Sequence, residues 1–422
     1  MTRSADVVVV GGGPAGALAA ITVARHGVAT LLLDKKRFPR DKPCGGGIRY
    51  GVLRRFPDLA GYLRQRVALH EVRRVRMESP GGALAVAELD QPLYLTFRRL
   101  EFDAALLDRA RAEGVEVIEA ARVVEVEHEP EAVRVGCVDG RSFTARLLIG
   151  ADGVTSVVAR ATGLNDGRGH DSLAIDTMEE TPLDGLAMVE EQTMYVAYGY
   201  KGRPGYGYIF PKADCVDGGV GYLLSFFKGE LGGALYDHHR GFLDEAAGRG
   251  IVKGASRRAN FKAYQLPLGG PLARTVADRV LLCGDAGGFV NAYTGEGIYF
   301  AMVTGEHAGR IAAQAVRGGD FSLVRLAHYE AAWRAEVGEE LRDSVRIQRR
   351  LFANPALADA IIGAAARDPK LRRLFARVAL GEESLRRRKL EMAGRFLLAR
   401  LRARLGLGWA ASRAGTLGGK HM

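Results

Sequence analysis

The stretch Asp6-Val-Val-Val-Val10-Gly11-Gly-Gly-Pro-Ala-Gly16 decides the fold. Its first half is an unbroken run of β-branched apolar residues, the pattern of a strand buried on both faces in a parallel sheet. The turn that follows carries glycine at 11, 13 and 16. The first allows the tight turn, the second lets backbone approach a pyrophosphate, and the third lets the next helix pack closely on the strand. That Ala-rich helix points its N-terminal N–H groups, and the positive end of its dipole, at the phosphates. A second strand, Leu31-Leu-Leu33, ends in Asp34, where a carboxylate accepts hydrogen bonds from ribose hydroxyls. A glycine-rich turn alone is weak evidence. Strand, turn, helix, strand and acid in this order predict a dinucleotide site, without choosing between FAD and NAD.

Two later segments bear on that choice. A buried strand ends in Gly150-Ala-Asp152-Gly153, which reads either as a ligand-binding switch point or as a plain connection with Asp152 capping a helix. Val280-Leu-Leu-Cys-Gly284-Asp285 is another buried strand ending in an acid. A glycine-rich loop through Gly295 and Gly297 follows, then a small-residue helix over 299–316. Two anion-binding constructions so far apart suit a long cofactor held at both ends. FAD fits better than NAD, because the helix start at Gly297-Ile298 stabilises negative charge on a reduced flavin ring.

The chain has 422 residues, a net charge of +11 and a pI near 9.6. It is too long for one core, so several lobes are expected. The positive balance favours an anionic partner: nucleic acid, a phosphorylated substrate or a membrane surface. No nucleic-acid module is recognisable, so nucleic acid is set aside. Cys44, Cys137, Cys215 and Cys283 are far apart and predict neither a zinc site nor a disulfide framework. The histidines lack metal-ligand spacing, and His238-His239 reads as surface. The N-terminus runs straight into a strand and no apolar run approaches the length of a membrane span. A cytoplasmic protein is expected, with peripheral contact on the inner face of a membrane as an option.

The expected fold class is α/β, mixed with antiparallel sheet. A Rossmann-like cofactor domain comprises 1–70, 97–172 and 272–320. An inserted antiparallel-sheet substrate domain comprises 71–96 and 173–271. A helical region covers 321–412 and a disordered tail 413–422. In the substrate domain, short aromatic runs predict strands over 192–200, 207–211 and 218–227. Alternation places Tyr206, Tyr208 and Phe210 on one face, either as core or as a wall over a greasy ligand. Near the C-terminus, Leu390, Ala393, Leu397, Leu401 and Leu405 keep helical spacing among arginines, with Trp409 near that stripe. Such a segment either lies on a membrane surface or docks on the protein with a solvated basic face.

Taken together, Gly11-x-Gly13-x-x-Gly16, Asp152-Gly153 and Gly284-Asp285 resemble the flavin-dependent hydroxylase and reductase superfamily with the glutathione-reductase-type FAD fold. Lys42-Pro-Cys44-Gly-Gly-Gly47, Tyr206-x-Tyr208-x-Phe210-Pro211 and Gly284–Ile298 resemble the geranylgeranyl reductase family within it. That resemblance implies saturation of isoprenoid double bonds by hydride from reduced flavin, with electrons from NAD(P)H or a ferredoxin-type protein. It implies that Ala15 and Gly16 meet the pyrophosphate, Asp34 the adenosine ribose and Arg99 the phosphate or ribityl region. Val123 meets adenine, Asp285 the ribityl or pyrophosphate, and Gly297 and Ile298 the flavin ring. Cys44 and Gly45 lie beside the isoalloxazine. Pro14, Lys35, Gly47, Asp152 and Gly295 complete the expected cofactor set. Cys44 is the candidate proton donor or gate, with simple packing as its alternative, and Tyr206, Tyr208 and Phe210 are the candidate substrate wall. Tyr208 and Ala292 depart from the tryptophan and proline usual in the family. A flavin monooxygenase and a membrane-surface electron carrier are the competing readings. A halogenase is disfavoured by the lack of a Trp-x-Trp-x-Ile-Pro segment.

Overall fold

The computed structural model describes residues 3–165 and 167–405. Strand Arg3–Val10 leads into helix Pro14–Arg25 and strand Thr30–Leu33, as the opening motif predicts. Strand 3–10 lies parallel between strands 30–33 and Ser142–Gly150. Strand Val280–Leu282 extends this sheet beyond 142–150, and Glu116–Ile118 extends it at the other edge. The central residues Val7, Val8 and Val9 are fully buried, which is why no alternation shows in the sequence. Helix Ile298–Gly318 crosses helix 14–25 with almost no spacer between them. A side chain at Gly305 or Gly309 would collide with the backbone carbonyl of Ala15 or Ala19. Close packing of small residues therefore ties the two cofactor-binding constructions together.

The second sheet has seven strands in the order Phe261–Pro267, Leu173–Pro182, Cys215–Leu223, Gly205–Pro211, Thr193–Tyr198, Arg74–Glu78 and Leu84–Glu88. All neighbours are antiparallel except 193–198 with 74–78. The expected strand over 218–227 is shorter: residues Leu224–Gly229 form a helix that closes the end of strand 215–223. Helix Leu235–Gly248 covers the sheet's outer face with Phe242 and Leu243.

From Leu323 to Arg404 the chain is helical. Helices Pro355–Arg367, Pro369–Ala379 and Leu385–Arg404 form a small separate core around Leu371, Leu374, Met392 and Ala399. The last helix thus docks on the protein through Met392, Phe396 and Ala399, while Leu390, Leu397, Leu401 and Leu405 face outward. The two readings of this helix are not exclusive, because different faces carry them. Trp409 and the expected disordered tail lie outside the described residues. Among the described residues, no helix is long and apolar enough to cross a membrane.

Candidate active site

The glycine turn is shaped by what each missing side chain avoids. Gly11 has φ +108°, and a side chain there would strike the Ala151 carbonyl. A side chain at Gly16 would strike the Gly11 carbonyl, so Gly16 is a packing glycine that does not line the cleft. At Gly13 a Cβ would meet only the Arg40 guanidinium, 3.8 Å away. That open face borders a cleft of about 470 Å³. Asp34 ends the second strand nearly buried and accepts from the N–H groups of Gly12 (2.7 Å) and Lys36 (2.8 Å). Its carboxylate is thereby fixed at the cleft wall together with Pro14, Ala15, Lys35 and Val123.

Asp152 lines the same cleft, yet its carboxylate accepts from Ser156 Oγ and the N–H groups of Val157 and Val158. The capping reading of Asp152 is the one its hydrogen bonds express. Asp285 also lines the cleft, next to Gly284, which packs against Ala15. Cationic groups line the middle. Arg99 is buried and doubly bonded to Asp103 at 2.7 and 2.6 Å. Arg40 also pairs with Asp103 at 2.9 Å, and its Nη1 is buried with no hydrogen-bond partner. The Lys42 ammonium lies 3.6 Å from the centre of the Tyr264 ring, and burial pulls its pKa down to about 8, with Arg99 adding repulsion. An open glycine face, a fixed carboxylate and a guanidinium with one buried nitrogen left without a partner are what a dinucleotide diphosphate and ribose require. FAD fits this cleft. Nothing in the local sequence marks Arg40 and Lys42 as ligands, because they belong to an ordinary basic loop.

Gly45 and Gly47 border a different space, an apolar cavity of about 140 Å³. Tyr206, Tyr208 and Phe210 form one wall of it, with ring centres 6.1 and 4.8 Å apart in succession. A Cβ at Gly45 would come within 2.9 Å of the Phe210 ring, so this loop is glycine-rich to pass under the aromatic wall. Tyr208 is buried, donates to the Thr177 carbonyl at 2.9 Å and lies over Gly219. Methionines 77, 178 and 194 and valines 75 and 196 extend the apolar lining. Phe375, Ala376, Ala379 and Leu380 of the C-terminal helical region border its other end, a contribution nothing in their local sequence marks.

Cleft and cavity meet. Pro43, Cys44, Tyr264, Leu266, Gly295, Gly297 and Ile298 line both. Behind the junction, Arg49 is 3% exposed and bonds Glu296 through its backbone N–H (2.9 Å) and guanidinium, and Glu340 through the guanidinium alone. Burial works against its charge, but the two carboxylates hold its pKa well above the ordinary value. The cluster pins the loop over 291–297 to strand Gly47–Arg49. His239, expected at the surface, is fully buried; its ring contacts Glu179 and Thr177 at 3.0 Å each, on helix 235–248 away from the junction.

Residues 4–214 match the model of the FAD binding domain. The chain is 30% identical over 359 residues to digeranylgeranylglycerophospholipid reductase 1 of Methanococcoides burtonii, covering 82% of this chain and 84% of that protein. The chain belongs to the geranylgeranyl reductase family. It is also 30% identical over 365 residues to a digeranylgeranylglycerophospholipid reductase of Methanothermobacter thermautotrophicus, covering 83% and 88% of the two chains. The fold matches that of a geranylgeranyl bacteriochlorophyll reductase-like protein of Thermoplasma acidophilum at a TM-score of 0.79 and 19% identity, over 92% of this chain and 99% of that one. Like the family, this chain is an FAD-dependent oxidoreductase.

Proposed function

We propose that this geranylgeranyl reductase-family chain saturates isolated C=C bonds in the isoprenoid chains of a lipid of the digeranylgeranylglycerophospholipid type. The observation that carries this reading is the apolar cavity opening directly onto the FAD cleft through shared residues. Bound FAD, once reduced by an external donor, supplies a hydride. The chain supplies everything else. Gly11, Gly13, Pro14 and Ala15 hold the diphosphate with Arg40 and Arg99 nearby, Asp34 takes the ribose, and Val123 lies by the adenine end. Gly295, Gly297, Ile298 and Cys44 abut the reactive ring. The aromatic wall of Tyr206, Tyr208 and Phe210 orients a flat alkene and excludes water from it.

A polyprenyl lipid resides in a bilayer, so its enzyme works at a membrane surface. Exposed Leu390, Leu397, Leu401 and Leu405 on a helix carrying Arg386, Arg387, Arg400 and Arg404 suit an anionic lipid surface. That helix packs on helix 369–379, which ends at the apolar cavity. The lipid would thus enter beside the membrane-facing helix.

Product mass tests the proposal. The FAD-loaded protein, reduced chemically without oxygen, is offered geranylgeranylated glycerophospholipid in vesicles. Gain of hydrogen in pairs is expected. No gain without oxygen, with one oxygen atom added once air is admitted, would replace the reductase by a monooxygenase.

A further inference from the structure

Saturating an alkene needs a proton as well as a hydride, and the apolar cavity is lined by an acid that neither the cofactor cleft nor the Arg49 cluster uses. Asp176 lies on strand 173–182 and borders the apolar cavity. In the sheet register it sits between Tyr264 and Gly221, and Gly221 faces Tyr206 on the next strand. Cross-strand partners share a face. Tyr264, Asp176 and Tyr206 therefore form one row, and Tyr264 is itself a junction residue. Glycine at 221 makes room for the acid, since a Cβ there would stand 2.7 Å from Asp176 Oδ1. That Oδ1 is buried without a hydrogen-bond partner.

The ionisable groups around it are Tyr206 and Tyr208, Asp217 of strand 215–223, Tyr264 and Cys44, none of them cationic. Asp217 is itself held by Lys212 at 3.0 Å. Burial, reinforced by Asp217, pushes the Asp176 carboxyl well above the usual carboxylate range and so favours its protonated form. An apolar pocket that keeps a carboxylic acid neutral also prepares it to give that proton away. Cys44 is placed differently: its sulfur accepts from the Gly46 N–H at 3.5 Å and faces the Arg99 guanidinium, both donors.

We propose that Asp176 is the proton donor of the reduction, an inference that rests on the reductase reading above. The Asp176 O–H bond breaks and the π pair of the alkene forms a C–H bond to that proton. The hydride from the reduced cofactor forms the second C–H bond, so the alkene gains two electrons and the flavin loses two. Asp176 is left as a carboxylate and regains its proton from water between turnovers.

The test compares wild type with Asp176→Asn and Asp176→Glu as FAD-loaded proteins. Asparagine matches a neutral aspartic acid in size and charge, so the flavin spectrum and FAD content should be unchanged in both variants. In anaerobic single turnovers with a geranylgeranylated phospholipid, D176N should slow double-bond reduction at least about 100-fold, the lower range for losing a general acid. D176E should restore a measurable part of it. The wild-type rate should fall at alkaline pH as the acid ionises, and D176N should lose that limb. A D176N rate within threefold of wild type, with the same pH profile, would overturn the proposal. So would D176E no faster than D176N. If wild type saturates nothing, the reductase reading itself fails, and the two failures are thereby distinct.

Discussion

Arg49→Met removes the hub of the buried ionic cluster behind the junction and leaves its carboxylates in place. Methionine replaces the stem of the side chain, so the loss is electrostatic more than volumetric. Glu296 has a side chain only 3% exposed and keeps one donor, the Arg49 backbone N–H at 2.9 Å. Glu340 is 25% exposed and regains water. The loss therefore falls mainly on Glu296. Removing one partner of a buried pair costs about 3–5 kcal/mol, because a charge is left uncompensated. Adding Glu296→Gln in the same chain neutralises that charge and should recover at least half of the loss. Urea unfolding of the FAD-loaded protein, followed by tryptophan fluorescence, reads both. Trp333 is a suitable reporter, buried against Phe289 with ring centres 5.0 Å apart. FAD affinity should fall in step, since Gly295 and Gly297 flank Glu296. A loss below about 1 kcal/mol, or no recovery in the double variant, would refute the reasoning.

Gly13→Ala and Gly16→Ala should separate binding from packing. The first should leave unfolding stability within about 0.5 kcal/mol and weaken FAD at least about tenfold; the second should destabilise the apoprotein by about 1–3 kcal/mol. Flavin titration and urea midpoints decide it, and equal behaviour of the two would contradict the cleft geometry. Lys42 gives the apoprotein a pH signature. Between its folded pKa of about 8 and its ordinary value of 10.5, the unfolded chain binds a proton that the folded chain lacks, so stability rises with pH over that window. Lys42→Met should flatten that rise in pH-dependent melting curves. Replacing Leu390, Leu397 and Leu401 together with serine should leave melting almost unchanged, because all three are exposed, and lower co-sedimentation with anionic vesicles several-fold. Unchanged sedimentation would remove this helix as the membrane contact.

The cofactor lobe was legible because its requirements are local. The run Val7 to Val10, the glycines at 11, 13 and 16 and Asp34 stand close together in the chain in a recognisable order, even though Gly11 and the valines also meet Ala151 and strand 142–150. The aromatic wall was legible for the same reason: alternation alone sets Tyr206, Tyr208 and Phe210 on one face. What stayed hidden depends on distant partners. Asp176 looks like any strand acid until Gly221 and Tyr264 are seen beside it. His239 sits next to His238, yet helix 235–248 turns it inward onto Glu179. Phe375 and Leu380 have an ordinary amphipathic context, and only tertiary packing brings them to the cavity. Strand 215–223 ended earlier than its apolar pattern suggested, because Leu224 and Phe226 fit a short helix equally well and packing chose between them.

Strands 142–150 and 280–282 lie side by side in the first sheet, with Leu148 opposite Val280. The chain between them, including the Leu173–Pro267 part of the second sheet, therefore leaves and re-enters the cofactor lobe at almost the same place. Topologically this segment is one long excursion from a finished scaffold. Its lining can change over generations without disturbing how the dinucleotide is held. Where the excursion touches the cofactor lobe, as at Tyr264 and Leu266 beside Cys44, Gly297 and Ile298, both parts must change together. A lineage that takes up a new lipid is expected to record the shift in the wall and the far helices, while those few contact positions keep the chemistry the same.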